Sequence, residues 1–363
     1  MRVWDVRLKT ESPMVLVRRR TSAGFAAPLR YIPSTTLRGA VITALYREGV
    51  FDRQRIERES KTPELVASPA YPFRGGLRLF PAPPFLQRCK RCEVIVGYTN
   101  LRDLEEVLRS GKEPEIAVEC QSGHRALKAI HPGDFVQIRR EGVLELPDGG
   151  QKEKKDVDVL QSISVAISKG RGSGVRGLLY SYEALSPGNE YWATIAAPDD
   201  VEFPAGGLVL RIGRGASRGF GRVSLTVAGK RPMDGVDVDG YVLFYALSPT
   251  VGDGGGTYPR SIDLGSLAGR VGMVSSGVVR IERVYGRTAW MSGGWDMARG
   301  VYRPRVLSRV HGSLLYGRIE AVNADCSAGL AALSSVGVLT QVGESVLAGF
   351  NLLVPVGVLD SAS

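Results

Sequence analysis

Residues 211–222 read Arg211-Ile-Gly-Arg-Gly-Ala-Ser-Arg-Gly-Phe-Gly-Arg222. Four arginines (Arg211, Arg214, Arg218, Arg222) alternate with four glycines (Gly213, Gly215, Gly219, Gly221) around one aromatic, Phe220. Glycine lets the backbone bend sharply and approach a ligand closely. Arginine presents a planar fork of donors that suits phosphate. An apolar run, 207–212, leads in, and Val223-Ser-Leu-Thr-Val leads out. Both flanks read as strands, which puts the loop at a hairpin tip or sheet edge. A tip this basic either meets an anionic partner or is a solvated turn.

Two familiar phosphate loops are excluded. The P-loop needs Gly-Lys-Ser/Thr leading into a helix, and no such triplet occurs. The dinucleotide fingerprint needs a following helix and an acidic ribose partner, but a β-rich segment follows here. Arg218-Gly-Phe-Gly-Arg-Val-Ser-Leu partly matches the signature of the RNA recognition motif. Arg222 and Leu225 stand where that signature wants aromatics. The preceding stretch, 184–206, contains Pro187, Pro204 and several glycines, with no amphipathic helix. The match reads as shared chemistry and not as that domain.

A chain of 363 residues has room for two domains with their own cores. Its net charge of +10 is uneven. Residues 1–230 hold 36 Lys+Arg against 26 Asp+Glu, and residues 231–363 hold 11 of each. The surplus therefore lies in the first two thirds, as an anion-binding surface there requires. Only ten of the basic residues are lysine. That bias fits GC-rich codon usage in a thermophilic archaeal source as well as it fits phosphate recognition. No apolar run is long enough to cross a membrane, and the opening Met1-Arg-Val-Trp-Asp has no signal-peptide pattern. Cytoplasm is the default expectation.

The first strand is expected over 2–8. Tyr31-Ile-Pro-Ser-Thr-Thr opens a helix, with Ser34 or Thr35 as cap and Leu37, Val41, Ala44 and Leu45 as its apolar stripe. Arg38 lies in the first turn, where a cation opposes the helix dipole. It either snorkels to solvent or reaches an anion drawn to the helix start beside the Ser34, Thr35 and Thr36 hydroxyls. A short helical pattern spans 99–110, and 141–157 is a charged loop. Residues 168–177 form a second glycine–arginine segment, and a strand resumes at Leu178. The second half opens near Asp239 with an apolar run, 241–247. Strands dominate and helices are few, which indicates an α+β class of sheets covered on one side.

Three of the four cysteines share one window: Cys89-x2-Cys92, then Cys120-x3-His124. Three thiolates and an imidazole suit tetrahedral zinc. The competing readings are a redox pair, which would usually follow a βαβ pattern absent here, or unrelated buried thiols. His131 is a spare fourth ligand, and Cys326 reads as a core thiol. Catalytic chemistry is thin. Only three histidines occur: His124, His131 and His311, the last at a strand edge. Asp199-Asp200 and Asp234, Asp237 and Asp239 fall among turn residues. Tyr31 or Lys169 has the chemistry for metal-free RNA cleavage, but nothing in the pattern singles out either one.

These blocks together resemble the RAMP superfamily of CRISPR-associated proteins. Tyr31-Ile-Pro-Ser-Thr-Thr-Leu-Arg-Gly-Ala is similar to the family's "IPGSSLRG" helix start, with Ser34-Thr35 in place of Gly-Ser. Leu178-Leu-Tyr-Ser-Tyr-Glu-Ala-Leu is similar to its mid-chain strand, and 213–223 to its Gly-rich loop. Ala246-Leu-Ser-Pro, Gly293-Gly-Trp-Asp and His311-Gly-Ser-Leu-Leu-Tyr resemble the large single-copy subunit of type III effector complexes, particularly type III-D.

The resemblance implies an α+β fold of two ferredoxin-like (RRM-like) domains. The first spans 1–230 and carries a zinc-knuckle insertion at about 86–132 and the loop 211–222; the second spans 231–363. It implies a non-catalytic subunit that holds the 5′ repeat-derived tag of crRNA. The subunit would stand beside a polymerase-like large subunit and backbone RAMP subunits, and would meet target RNA only indirectly. By carry-over, Ser34, Thr35, Thr36, Arg38, Arg214, Ser217 and Arg218 meet RNA phosphates. Phe220 stacks on a base or packs beneath the loop, and Lys169, Arg171 and Arg176 form a finger between splayed nucleotides. Gly349-Phe-Asn looks like a second Gly-rich loop without arginine, which implies that the second domain packs and does not grip RNA. The runner-up function is a metal-independent endoribonuclease that processes repeat RNA.

Overall fold

The computed structural model describes residues 1–21, 24–131, 133–139, 142–147, 157–167, 170, 174–233, 235–236, 238, 240–296, 298–320 and 325–360, with backbone alone at 17–21, 24–27, 162–167 and 174–180. The turn aspartates Asp234, Asp237 and Asp239 lie outside these residues, as does most of 141–157.

The first half is organised on the strand Arg2–Thr10. Arg222–Pro232 pairs on one side of it and Glu190–Ala197 on the other, both antiparallel. Leu208–Arg211 extends the sheet at one edge, and Val66–Ala67 and Tyr71–Arg74 pair with Glu190–Ala197 at the other. Alternation decides the faces. Tyr191, Ala193, Ile195 and Ala197 point into a core shared with the helix α1 (Ser34–Arg47), whose Leu37, Ala40, Val41, Ala44 and Leu45 are buried. Trp192 and Ala196 point the other way, into a second core that includes Phe244, Tyr245, Leu330 and Leu333 of the second half.

The second half runs strand Tyr241–Ala246, helix, strand Val278–Tyr285, strand Leu314–Glu320, helix, strand Leu353–Pro355. Its sheet order is Ser261–Asp263, Val278–Tyr285, Leu314–Glu320, Tyr241–Ala246, Leu353–Pro355. The four principal strands of the first half take the same relative order, but the hairpin strand Leu208–Arg211 stands where the second half has its second helix.

Between the halves, 86–147 folds over the second sheet. Helix α3 (Leu101–Arg109), capped by Asn100, buries Leu101, Leu104 and Leu108. The Glu105 carboxylate accepts from the Leu243 backbone N–H, and Arg109 donates to the Tyr241 carbonyl. A separate four-stranded sheet orders Val159–Ile167, Gly174–Leu185, Gly24–Pro28 and Val17–Thr21.

The start of α1 departs from expectation. Pro33 is its N-cap, and no side chain caps it. The Ser34 hydroxyl instead donates to the Gly349 carbonyl at 2.9 Å. Gly349 has φ +80°, and a Cβ there would lie 1.8 Å from Ser34 Oγ, so only glycine fits. Ser34 is thus a buried joint between the halves.

Arg38 is corrected likewise. The tertiary fold brings it a carboxylate from α2 (Arg53–Lys61), and the side chain turns inward. Its Nε donates to the Leu65 carbonyl at 2.7 Å, and its Nη2 to Glu59 Oε2 at 2.6 Å. Both partners are buried. Arg303 and Asp296 of the second half form a further buried pair at 3.5 Å, and Ser60 donates to the same Asp296 carboxylate. Burial, and next the Arg38 charge, push the Arg270 guanidinium down to about 10.

Truncation of one member of a buried pair strands the other charge. Arg38→Ala is expected to lose about 3–5 kcal/mol of stability in urea unfolding, and Arg38→Met with Glu59→Leu to recover most of it.

Candidate nucleic-acid interface and metal cluster

The glycine–arginine loop forms at the tip of the expected hairpin, between strands Leu208–Arg211 and Arg222–Pro232. All four glycines have positive φ, from 76° to 88°. Two of them allow close backbone approach. A Cβ on Gly213 would lie 2.5 Å from the Val15 carbonyl, and one on Gly221 2.1 Å from the Ile212 carbonyl. The loop is therefore pinned to the segment after the first strand. Arg214 N–H donates to the Val15 carbonyl, Gly221 N–H to the Pro13 carbonyl, and Arg222 N–H to Ser12 Oγ.

This scaffold leaves Arg211, Arg214, Ser217, Arg218 and Arg222 exposed. Arg211 stands directly opposite Arg222 across the hairpin, a like-charge pair that is unfavourable on its own. Glu11 takes the Arg222 guanidinium in an ion pair. Phe220 is half-buried beneath the loop, where a Cβ on Gly215 would touch its ring at 2.9 Å.

Tyr182, on strand Gly174–Leu185, completes the site and was not singled out from the sequence. Its ring meets Phe220 edge-on at 6.2 Å between centroids. Arg218 Nη1 donates to its hydroxyl at 2.6 Å, and the guanidinium lies 5.7 Å from its ring centroid. Tyr182, Arg214, Gly215, Ser217, Arg218 and Phe220 line one shallow concavity.

The other expected RNA contacts separate. Thr35 and Thr36 are half-buried at the start of α1, while Ser34 and Arg38 are interior. Lys169 and Arg171 lie outside the described residues, as does the side chain of Arg176. Tyr31 and His311 are both buried, with their rings 4.4 Å apart edge-on, so His311 is an interior residue and not a strand-edge one.

The cysteine window closes into a single group. The ligand atoms of Cys89, Cys92, Cys120 and His124 all lie within 4.8 Å of one another. Cys92 Sγ is 3.6 Å from Cys120 Sγ, and Cys89 Sγ is 3.7 Å from His124 Nδ1. A tetrahedral zinc with ordinary bond lengths sets sulfur–sulfur and sulfur–nitrogen edges of about 3.6–3.8 Å. His124, not His131, belongs to this group. Cys89 ends the strand Leu86–Cys89 at a hairpin tip whose return strand is Ile95–Gly97. The Cys92 backbone N–H, aided by that of Arg91 and opposed by burial, holds the Cys89 thiol down to about 6. That favours the thiolate, the form that binds metal.

With this geometry established, three comparisons bear on kinship. The family model for the RAMP superfamily matches residues 7–224. A search of curated proteins finds no match. Among solved structures, the chain is similar to one in the type III-B Cmr-beta bound to cognate target RNA and AMPPnP, with 16% identity, 86% of each chain covered and a TM-score of 0.50. Fainter likenesses are to a chain of the Csm3-Csm4 subcomplex of the type III-A CRISPR-Cas interference complex and to oligomeric Cmr4 from Pyrococcus furiosus. The former has 12% identity, covers 90% of this chain and 97% of that one, and has a TM-score of 0.39. The latter has 13% identity, covers 64% and 98%, and has a TM-score of 0.27. The Cmr-beta match shows a shared fold over most of the chain. Among the described residues, no helix is long and apolar enough to cross a membrane.

Proposed function

We propose, from the fact that this chain belongs to the RAMP superfamily, that it is an RNA-binding subunit of a type III CRISPR effector complex. It holds the 5′ repeat-derived tag of crRNA and does not cut RNA. Its partners on this reading are crRNA, a polymerase-like large subunit and backbone RAMP subunits. Each half is read as a ferredoxin-like unit, with 86–132 as the insertion in the first.

The observation that carries the reading is the pinned loop. Four positive-φ glycines fix a tip that exposes Arg214, Ser217 and Arg218 around the ring of Tyr182, in the most basic part of the chain. Fork-shaped donors beside an aromatic face suit a phosphate with its neighbouring base. The motif that this chain partly mimics stacks bases on its sheet; here α1 covers one face, and the second half covers the other where Trp192 and Ala196 stand, while Lys9, Val209, Arg211 and Thr226 leave the outer strands of that face exposed.

The chain is expected to bind a tag-bearing RNA with an affinity that falls with salt by about 0.7 log units per log unit for each phosphate contacted. Arg214→Ala with Arg218→Ala lowers that slope and weakens binding by roughly tenfold or more, as removal of two charge-assisted contacts does. Equal affinity for a scrambled tag removes the tag assignment. Site-specific cleavage of labelled repeat RNA in EDTA replaces the binding role with the endoribonuclease one.

The donor set Cys89, Cys92, Cys120 and His124 is assigned a structural zinc. It would tie the hairpin 86–97 to the turn before Leu127, and so support the contacts that 86–113 makes with the second sheet. Elemental analysis is expected to give one zinc per chain. Cys120→Ser loses the metal and lowers the melting temperature, while Cys326→Ser, outside the group, does neither. A preparation with no stoichiometric zinc overturns the assignment.

A further inference from the structure

We infer that the second half carries its own single-stranded RNA contact, an aromatic hairpin at 288–309; the inference rests on the RNA-binding reading above but concerns a different surface.

Strands Thr288–Ser292 and Arg305–Arg309 pair antiparallel, with Trp290 opposite Leu307. The ribbon continues through Trp295–Asp296 and Val301–Tyr302, with Trp295 opposite Tyr302. Alternation sorts its side chains. Met291 and Val306 turn inward onto a small core with Val251, Leu347 and Phe350. Trp290, opposite Leu307, turns away from that core and is 61% exposed; further along the ribbon Trp295 is 51% and Tyr302 73% exposed. Trp295 and Tyr302 meet edge-to-face, 4.8 Å between centroids. Three large rings exposed by half or more on one ribbon, two of them in contact, mark an interaction surface.

Charge selects the partner. From Gly286 to Val310 the sequence holds five arginines and one acid, Asp296. Asp296 is buried against Arg303 and Ser60, so this stretch offers no carboxylate to the open face. Arg287, Arg299 and Arg305 are exposed, although Arg299 is paired with Glu344. Arg305 stands opposite Ser292, diagonal to Trp290. The second half is neutral by count, yet this ribbon sets the exposed Arg305 beside the exposed Trp290. Stacking rings beside guanidinium groups grip single-stranded nucleic acid without reading its sequence. The ribbon also lies next to the start of α1, since a Cβ on Gly294 would lie 3.1 Å from Thr35 Cβ.

The protein's other tryptophans, Trp4 and Trp192, are buried, so changes in its intrinsic fluorescence report on this ribbon. Titration of the full chain with a 12-nucleotide oligouridine is expected to quench tryptophan emission as the RNA binds. Trp290→Ser with Tyr302→Ser is expected to weaken binding by about tenfold or more, with the melting temperature unchanged and most of the quench lost. Trp290→Phe, with Tyr302 kept, retains the affinity. Arg214→Ala with Arg218→Ala weakens binding but leaves the quench at saturation intact, which separates this face from the glycine–arginine loop. Full RNA binding with no quench, and with unchanged affinity in the double serine variant, overturns the inference and leaves the loop reading standing. So does a double serine variant that binds RNA normally but fails to join its neighbouring subunits, which makes the ribbon a protein-docking face. Absence of any RNA binding by the unaltered chain overturns both readings.

Discussion

Two tyrosine hydroxyls are carried into the seam between the sheets. Tyr71 donates to the Leu247 carbonyl, and Tyr245 donates to the Pro81 carbonyl. Trp192 Nε1 donates to the Leu79 carbonyl in the same region. All three residues are buried, and burial holds both phenols well above their ordinary pKa. Each tyrosine donor left unsatisfied would cost about 1–3 kcal/mol, so a shifted docking of the halves is disfavoured twice over. Hydrophobic area drives the two sheets together, and the two tyrosine bonds, which alone of the three cross between the halves, select one registry among the ways of burying that area.

That registry decides where RNA can be held. Once Trp192 and Ala196 face Phe244 and Tyr245, that part of the sheet surface is closed, and the exposed arginines stand on the outer strands and the loop beyond it. It also turns the start of α1 into an interior joint. Ser34 meets Gly349, and two charge pairs, Arg38 with Glu59 and Arg303 with Asp296, are buried. The glycine–arginine loop escapes because its pinning partners, Pro13 and Val15, belong to the first half alone. The cysteine group acts at a third place. It folds 86–97 against 120–127, and the chain beyond it lays α3 on the strand Tyr241–Ala246.

Local patterns were legible wherever the deciding physics is local. Alternation and glycine spacing located the hairpin around 211–222 and the strand that begins at Arg2. The stripe Leu37, Val41, Ala44, Leu45 located α1, and thiol–imidazole spacing located a group that does close in space. Gly349-Phe-Asn does pack, with Asn351 Oδ1 accepting from the Val251 N–H. Arg38 misled because a cation in the first turn of an isolated helix does prefer solvent or an anion. The carboxylate that reverses this comes from Glu59, 21 residues on, in a helix with no strong apolar signal of its own. Tyr182 was hidden for a similar reason, since its meaning comes from Arg218 and Phe220, which arrive from the loop between two other strands.

By itself, the sequence determined what is carried by short-range geometry and composition: the left-handed glycines of the loop, the strand and helix periodicities, the surplus of arginine and the three thiols of the cysteine window, with the choice of His124 over His131 left to the fold. Tertiary structure alone decided which arginines face water. Exposure depends on what distant segments bring to the same spot. It made Arg214 and Arg218 a surface, made Arg38 and Arg303 an interior, and left Trp290, Trp295 and Tyr302 outside a core that their composition alone would have placed them in.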